Sequence, residues 1–215
     1  MQEVCVEKKS CFIFGAGERT PLPLLPTEGS VVIAADGGLG FLQSEGISPD
    51  YIIGDFDSFG KIPKGGNVTV LPKEKDVTDM WAAAEKGIER GCNSFVIYGG
   101  TGGRLDHTLA NIQLIARLSK LGFEALIFGN GYAISAVTNG EIEISGEAGE
   151  YVSVFALSDV CEGVTISNLR YCTENIRLTN DFPLGVSNEF TGKTAKISVK
   201  SGTVAVYYTT QRVVP

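Results

Sequence analysis

The sequence predicts an N-terminal α/β domain with a mostly parallel sheet, followed by a C-terminal all-β, sandwich-like domain. Two observations carry that expectation. Over residues 1–130 short apolar runs alternate with helical patterns, as in a parallel sheet covered on both faces. After Gly129-Asn130-Gly131 the helical pattern stops, and only short strand-like runs remain, separated by turn signals.

The elements follow in order. Cys11–Phe14 is short and apolar, and Val31–Ala35 has the continuous apolar run of a buried strand. Leu39–Glu45 reads as a short helix. Tyr51–Ile53 and Asn67–Leu71 read as strands. Val77–Arg90 is Ala-rich and helical, stopped by Gly91, and Ser94–Tyr98 is a strand. Leu105–Leu121 repeats apolar residues (Leu105, Leu109, Ile112, Ile115, Ala116, Leu118) near the helical period and closes at Gly122. Ala125–Phe128 is the last strand of this series. Beyond it, Tyr132–Thr138, Glu141–Ser145, Tyr151–Leu157, Val160–Ile166, Ala195–Val199 and Val204–Tyr208 are strand-like. Asn139-Gly140, Ser201-Gly202 and Asp181-Phe182-Pro183 mark turns between them. The expected domains are 1–130 and 131–215, packed directly because no low-complexity linker separates them.

Composition narrows the class. A chain of 215 residues, 43% apolar and 20% charged, buries about 70% of its unfolded surface and needs neither disulfide nor metal to hold a core. No apolar run approaches the ~20 residues of a membrane helix. Met1–Ser10, with Glu3, Glu7, Lys8 and Lys9, has no apolar core of a secretory signal. A net charge of -7 without a Lys/Arg run argues against nucleic acid as a partner. Five cysteines with no Cys-x-x-Cys point to a reduced, cytoplasmic setting. A single histidine, His107, excludes sites that need two.

Nine aspartates are present, and seven lie between Asp36 and Asp106. The polar motifs sit in loops that follow strands: Asp36-Gly37-Gly38, Gly54-Asp55-Phe56-Asp57-Ser58, Lys73 to Asp79, and Gly99-Gly100-Thr101-Gly102-Gly103-Arg104. With parallel strands these loops share the carboxyl edge of one sheet, where open α/β sheets bind ligands. Asp55 and Asp57 suit a hard cation or, alternatively, an Asx-type turn. Asp76 and Asp79 fall on one helix face, or serve as N-cap and N3 of the helix. Asp36 alone could be only a turn residue. The glycine run before a helix favours an anion such as triphosphate, with Arg104 adding a planar cation; the bland reading is a flexible turn. His107 reads as a hydrogen-bonded, partly buried residue rather than a general base, since phosphoryl transfer needs positioning more than proton removal. Two patterns fail. Gly192-Lys193-Thr194 lacks the first glycine of a Walker loop and is followed by a strand pattern. Gly15-Ala16-Gly17 lacks the third glycine of a dinucleotide fingerprint.

Together, Ala35-Asp36-Gly37-Gly38, Pro49 to Ser58, Lys75-Asp76-Val77-Thr78-Asp79, and Gly99 to His107 with Asn111 resemble the thiamine pyrophosphokinase family in order and spacing. Gly185-Val186-Ser187-Asn188 resembles that family's thiamine-pocket segment. The resemblance implies transfer of diphosphate from ATP to the thiamine hydroxyl, releasing AMP. It implies that Asp55, Asp57 and Asp79 hold Mg2+. Asp36, Asp76, Gly99, Gly100, Thr101, Gly102, Gly103, Arg104, Asp106 and Asn111 would surround ATP, Asp106 among the catalytic carboxylates. Ser187 and Asn188 would meet thiamine across a homodimer interface. The sequence departs from the family where many members carry Trp-x-Leu; here Arg170-Tyr171-Cys172 stands, and Tyr171 supplies a ring that can stack on thiamine. Ala82 stands where some members carry Lys. Ile53 to Ser58 also resembles the Asp-x-Asp motif of haloacid-dehalogenase-like phosphatases, which leaves the glycine loop and the β domain unexplained. A non-catalytic thiamine or nucleotide sensor is the alternative of another class.

Overall fold

The computed structural model describes residues 8–55, 67–72, 74 and 76–210. Six parallel strands form its centre: β1 (Ser10–Phe14), β2 (Val31–Ala35), β3 (Tyr51–Gly54), β4 (Val68–Val70), β5 (Ser94–Tyr98) and β6 (Glu124–Gly129). Their spatial order is β6-β5-β1-β2-β3-β4. β2 and β5 are buried along their whole length, as strands covered on both faces must be. Helices α2 (Asp79–Glu89) and α3 (Leu105–Lys120) cover one face, over Ile13, Ile33, Phe95 and Ile97. The short α1 (Gly38–Ser44) lies on the other, over Phe12, Phe14, Val32 and Tyr98.

The sheet does not stop at residue 130. Asn130-Gly131 makes a tight turn, and β7 (Tyr132–Thr138) returns antiparallel to β6. β14 (Thr203–Thr209), β9 (Tyr151–Ala156) and β12 (Gly185–Glu189) continue it to ten strands, so both halves of the sequence share one mixed sheet. A second, antiparallel sheet has the order β11-β10-β13-β8, from β8 (Glu141–Ile144), β10 (Val160–Ser167), β11 (Thr173–Thr179) and β13 (Ala195–Ser198). Val152, Val154, Val204 and Val206 of the large sheet pack against Ile144, Val164, Ile166 and Ile197 of the small one. That pairing is a sandwich core. The fold is therefore mostly β, a large mixed sheet plus a separate antiparallel one.

Two strands lack a signal in the sequence. β11 is Thr-Glu-Asn-Ile-Arg-Leu-Thr, at the edge of the small sheet, and only Leu178 of it is buried. β12 is also an edge strand, at one end of the large sheet, and carries a register shift between Gly185 and Asn188. Edge strands need not alternate apolar and polar residues, so periodicity misses them. Gly192-Lys193-Thr194 lies in a bend before β13, with no helix after it.

Tyr98 links the sheet to the segment after β1. It stacks between Phe14 and Phe128, with ring centroids 5.2 and 5.3 Å away. Its hydroxyl donates to the Leu24 carbonyl at 2.7 Å and accepts from the Leu24 amide at 3.1 Å. Burial pushes its phenol up to about 12, against the pull of the Leu24 hydrogen bond. The folded state thus resists losing this proton, and stability falls as pH rises from 10 towards 12. Tyr98→Phe is expected to cost about 1–2 kcal/mol at neutral pH and to flatten that alkaline fall. Urea unfolding at neutral pH and at pH 11 measures both.

Candidate functional site

Two loops meet at the carboxyl edge of the parallel strands and make the site. Gly15 N–H, at the end of β1, donates to Tyr98 O at 2.8 Å. Gly17 N–H donates to Gly99 O at 2.9 Å, and Glu18 N–H to Thr101 O at 2.7 Å. This backbone zipper leaves no room for side chains between the loops. A Cβ on Gly99 would collide with Gly15 O, and one on Gly102 would stand 2.5 Å from the Glu18 Cβ. Both glycines also have positive φ, 61° and 79°. Gly99 and Gly102 are thus needed for close approach as well as for anything they bind.

The zipper forms one wall of a cleft of about 560 Å³. Its lining brings together Asp36, Asp79, Gly99, Gly100, Gly102, Gly103, Arg104 and Asn111, all nominated by the sequence. It adds Gly15–Glu18, Thr78, Met80 and His107. The Gly15–Glu18 loop has no sequence signal beyond a failed dinucleotide fingerprint. What could have drawn attention to it is its place after a buried strand.

Each side chain is held differently. Asp36 takes a left-handed backbone, φ 46°, with its N–H donating to Ile53 O at 2.8 Å. A non-glycine residue in that region is strained unless its surroundings enforce it. Thr78, not Asp76, caps α2: its hydroxyl accepts from the Trp81 amide at 3.2 Å. Asp79 is the first helical residue, so the Asp76/Asp79 capping arrangement does not occur. Asp76 is exposed and outside the cleft lining. Asn111 is buried and donates its amide to Gly100 O at 2.7 Å, fixing the glycine loop from below. Thr101 lies outside the lining, its side chain buried and its Oγ1 without a hydrogen-bond partner among the described residues.

Arg104 and Asp106 form an exposed ion pair, with Nη2 to Oδ2 at 2.6 Å and Nε to Oδ1 at 3.2 Å. The guanidinium holds the Asp106 carboxyl below the usual range, and the carboxylate raises the arginine. Asp106 is outside the lining, and His107 is exposed on the cleft rather than partly buried. Asp55 follows β3 directly, half-buried. The preceding Gly54 packs on Asp36: a Cβ there would be 3.1 Å from the Asp36 Cα. Asp57 lies outside the described residues. Among those described, no three His, Cys, Asp or Glu side chains are grouped to hold a metal ion.

Tyr171, Ser187 and Asn188 sit away from this cleft, at the edge of the sandwich. Asn188 is buried and clamps the Tyr171 backbone: Oδ1 accepts from Tyr171 N–H at 2.9 Å, and Nδ2 donates to its carbonyl at 2.7 Å. The Tyr171 ring is thereby held out, 58% exposed, with the Arg170 guanidinium 5.5 Å from its centroid. Ser187 has φ 61°, and its N–H donates to Ser153 Oγ at 3.1 Å.

The catalytic-domain model of the thiamin pyrophosphokinase family matches residues 23–127, and its vitamin B1 binding domain model matches residues 140–204. The chain belongs to the thiamin pyrophosphokinase family. The thiamine pyrophosphokinase of Bacillus subtilis is 29% identical over 204 residues, covering 90% of this chain and 95% of that protein. The crystal structure of a Bacillus subtilis thiamine pyrophosphokinase superposes with a TM-score of 0.83 at 26% identity, covering 95% of this chain and 100% of the other. A Geobacillus thermodenitrificans thiamin pyrophosphokinase shares the fold, with a TM-score of 0.80 at 24% identity over 95% of this chain and 99% of that one. Family membership makes the chain an ATP-dependent diphosphotransferase and favours that reading over the phosphatase and the sensor.

Within this cleft, Asn111→Ala leaves the buried Gly100 carbonyl without its donor. The expected cost is about 1–3 kcal/mol of stability, with a raised KM for ATP. Urea denaturation and initial rates check the two effects.

Proposed function

We propose that the cleft at the carboxyl edge binds ATP, and that the thiamine hydroxyl attacks the β-phosphorus there, expelling AMP. The observation that carries this reading is the cleft itself, where the glycine loop, Arg104 and the start of α3 converge opposite Asp36 and Asp79. Arg104 at the N-cap of α3 makes no side-chain cap, and the His107 amide already donates to Asp106 Oδ1 at 3.0 Å, which leaves the Leu105 and Asp106 amides for an anion. Gly103 has positive φ and open space around it. Arg104 turns from Asp106 towards the triphosphate and stabilises the charge that develops on transfer. Asp106 holds Arg104 ready until the nucleotide arrives.

The donor set at the other end is all carboxylate, which is the chemistry a hard cation takes. Asp55, packed behind Asp36 through Gly54, Asp79 at the cleft and Asp57 in the same motif would hold Mg2+. When bound, Mg2+ would neutralise phosphate charge that bare carboxylates repel. This chain's residues orient the nucleotide: the zippered loops set its position, and Asn111 keeps the glycine loop from shifting.

Residues 131–215 contribute the thiamine site and a dimer interface in this reading, and residues 1–130 handle ATP. Tyr171, propped outward by Asn188, offers a ring to the thiamine cation. Two features support a homodimer. β12 is an uncovered edge strand, and apolar side chains crowd around it: Tyr151 and Phe155 on β9, Val186, and Phe182 and Leu184 in the preceding turn, all exposed. Two-fold pairing there would give equivalent sites between subunits. Cytoplasmic localisation belongs to the same proposal. Among the described residues no helix is long and apolar enough to cross a membrane.

Incubation with ATP, Mg2+ and thiamine tests the reaction. AMP and thiamine diphosphate are expected in equal amounts. Inorganic phosphate, or tight binding without turnover, would contradict it. Arg104→Ala should raise the KM for ATP about tenfold, the loss of one charge-assisted contact, and leave that for thiamine within twofold. Steady-state kinetics with each substrate varied separates the two. Mixed subunits test the dimer. Asp79→Asn and Tyr171→Ala homodimers should each be nearly inactive, and exchanged heterodimers should recover part of the activity. No recovery after verified exchange would place the whole site within one chain.

A further inference from the structure

The cleft has two chemically different ends, and the loop after β1 spans both. Gly15 lies so close to Met80 of α2 that a Cβ there would displace the methionine methyl. A Cβ on Gly37, at the end of β2, would stand 2.8 Å from the Ala16 Cβ. Two residues on, the Glu18 side chain lies over Gly102: a Cβ on that glycine would be 3.2 Å from Glu18 Oε2. Glu18 Oε1 accepts from Asn130 Nδ2 in the β6–β7 turn, at 3.4 Å. In the order β6-β5-β1-β2-β3, Asp36 follows β2 and Asp55 follows β3, and Asp79 lines the cleft with Asp36. Glu18 and Asn130 stand on the β6 side.

We infer that Glu18 is a specificity-determining residue that accepts hydrogen bonds from the ribose hydroxyls of ATP. The inference rests on the reading of this cleft as the ATP site. The triphosphate runs from the carboxylates that can share a cation to Gly103 and Arg104, so the ribose falls beyond it, on the Gly102 side beside Glu18. A lone carboxylate there repels phosphate and can only accept hydrogen bonds. The ribose offers two adjacent O–H donors, which match two carboxylate oxygens. The base is a poorer match, since the pairing edge of adenine sets a single amino donor beside the N1 lone pair. Guanine presents two neighbouring N–H donors, so a base-reading carboxylate would favour the wrong nucleotide. Glu18 is also pre-placed: its amide is tied to Thr101 O, and Asn130 steadies one oxygen. The missing side chain at Gly102 makes room for it.

The test compares ATP, 2′-deoxyATP, 3′-deoxyATP and GTP as substrates for the wild type, Glu18→Gln and Glu18→Ala, at saturating thiamine. The wild type is expected to prefer ATP over at least one deoxynucleotide by about tenfold in kcat/KM, the loss of one hydrogen bond to a charged group. In Glu18→Ala, ATP should fall to the level of that deoxynucleotide and the preference should vanish, with kcat at saturating ATP within twofold. Glu18→Gln, which keeps the shape but weakens the acceptor, should lie between. Glu18 is exposed, so melting temperatures should not move. Four results would overturn the inference. They are no preference in the wild type, a preference unchanged in both variants, an altered ATP-to-GTP ratio with the deoxy ratio untouched, and a raised KM for thiamine alone. Arg104→Ala separates the two levels. If it raises the KM for ATP while Glu18 variants do not discriminate, the cleft binds ATP and Glu18 does not read the ribose. If neither matters, ATP binds elsewhere.

Discussion

The functional geometry depends on the backbone zipper between the loop after β1 and the loop after β5. Three amides of one loop donate to Tyr98, Gly99 and Thr101 of the other. Because β1 and β5 are neighbours in the parallel sheet, both loops emerge from the same edge and need only close the remaining gap. Glycines make that closure possible, and Asn111 supports it from α3 through Gly100. The rest of the cleft is arranged around this wall: Asp36 after β2 and Asp79 at the start of α2 on one side, Arg104 at the start of α3 on the other.

The sheet then explains how one chain can hold two kinds of chemistry. Its parallel half ends in loops that bring charged side chains and glycine backbone to one cleft. Its antiparallel half joins a second sheet to form a sandwich whose edge displays an aromatic ring. The tight turn at Asn130-Gly131 converts one into the other without breaking the sheet. Asn130 is also the residue that reaches Glu18, so the turn connecting the halves touches the cleft.

Much of this was legible in the sequence. Parallel strands buried on both faces appear as unbroken apolar runs, so β2 and β5 were plain, and the order of strands and helices fixed which loops share an edge. The edge strands β11 and β12 were not legible, because an edge exposed to water imposes no alternation. Of the two readings open for Asp76, the helix cap does not occur: Asp and Thr are comparable caps, and only backbone geometry chooses Thr78. The glycine run reads in the sequence as an anion cradle or a flexible turn. Its second purpose, admitting the Gly15–Glu18 loop, depends on a contact between residues more than eighty positions apart, which no local pattern encodes. Thr101 was grouped with its neighbours by sequence adjacency, yet its side chain turns inward.

Amide hydrogen exchange with and without ATP and Mg2+ tests the central claim most directly, because it maps the nucleotide without relying on turnover. The account predicts new protection at Gly15–Glu18, at Gly99–Arg104 and in the first turns of α2 and α3. Protection confined to the cleft at the opposite end of the sheet, around Phe123–Leu126 and Thr138–Glu143, would contradict it.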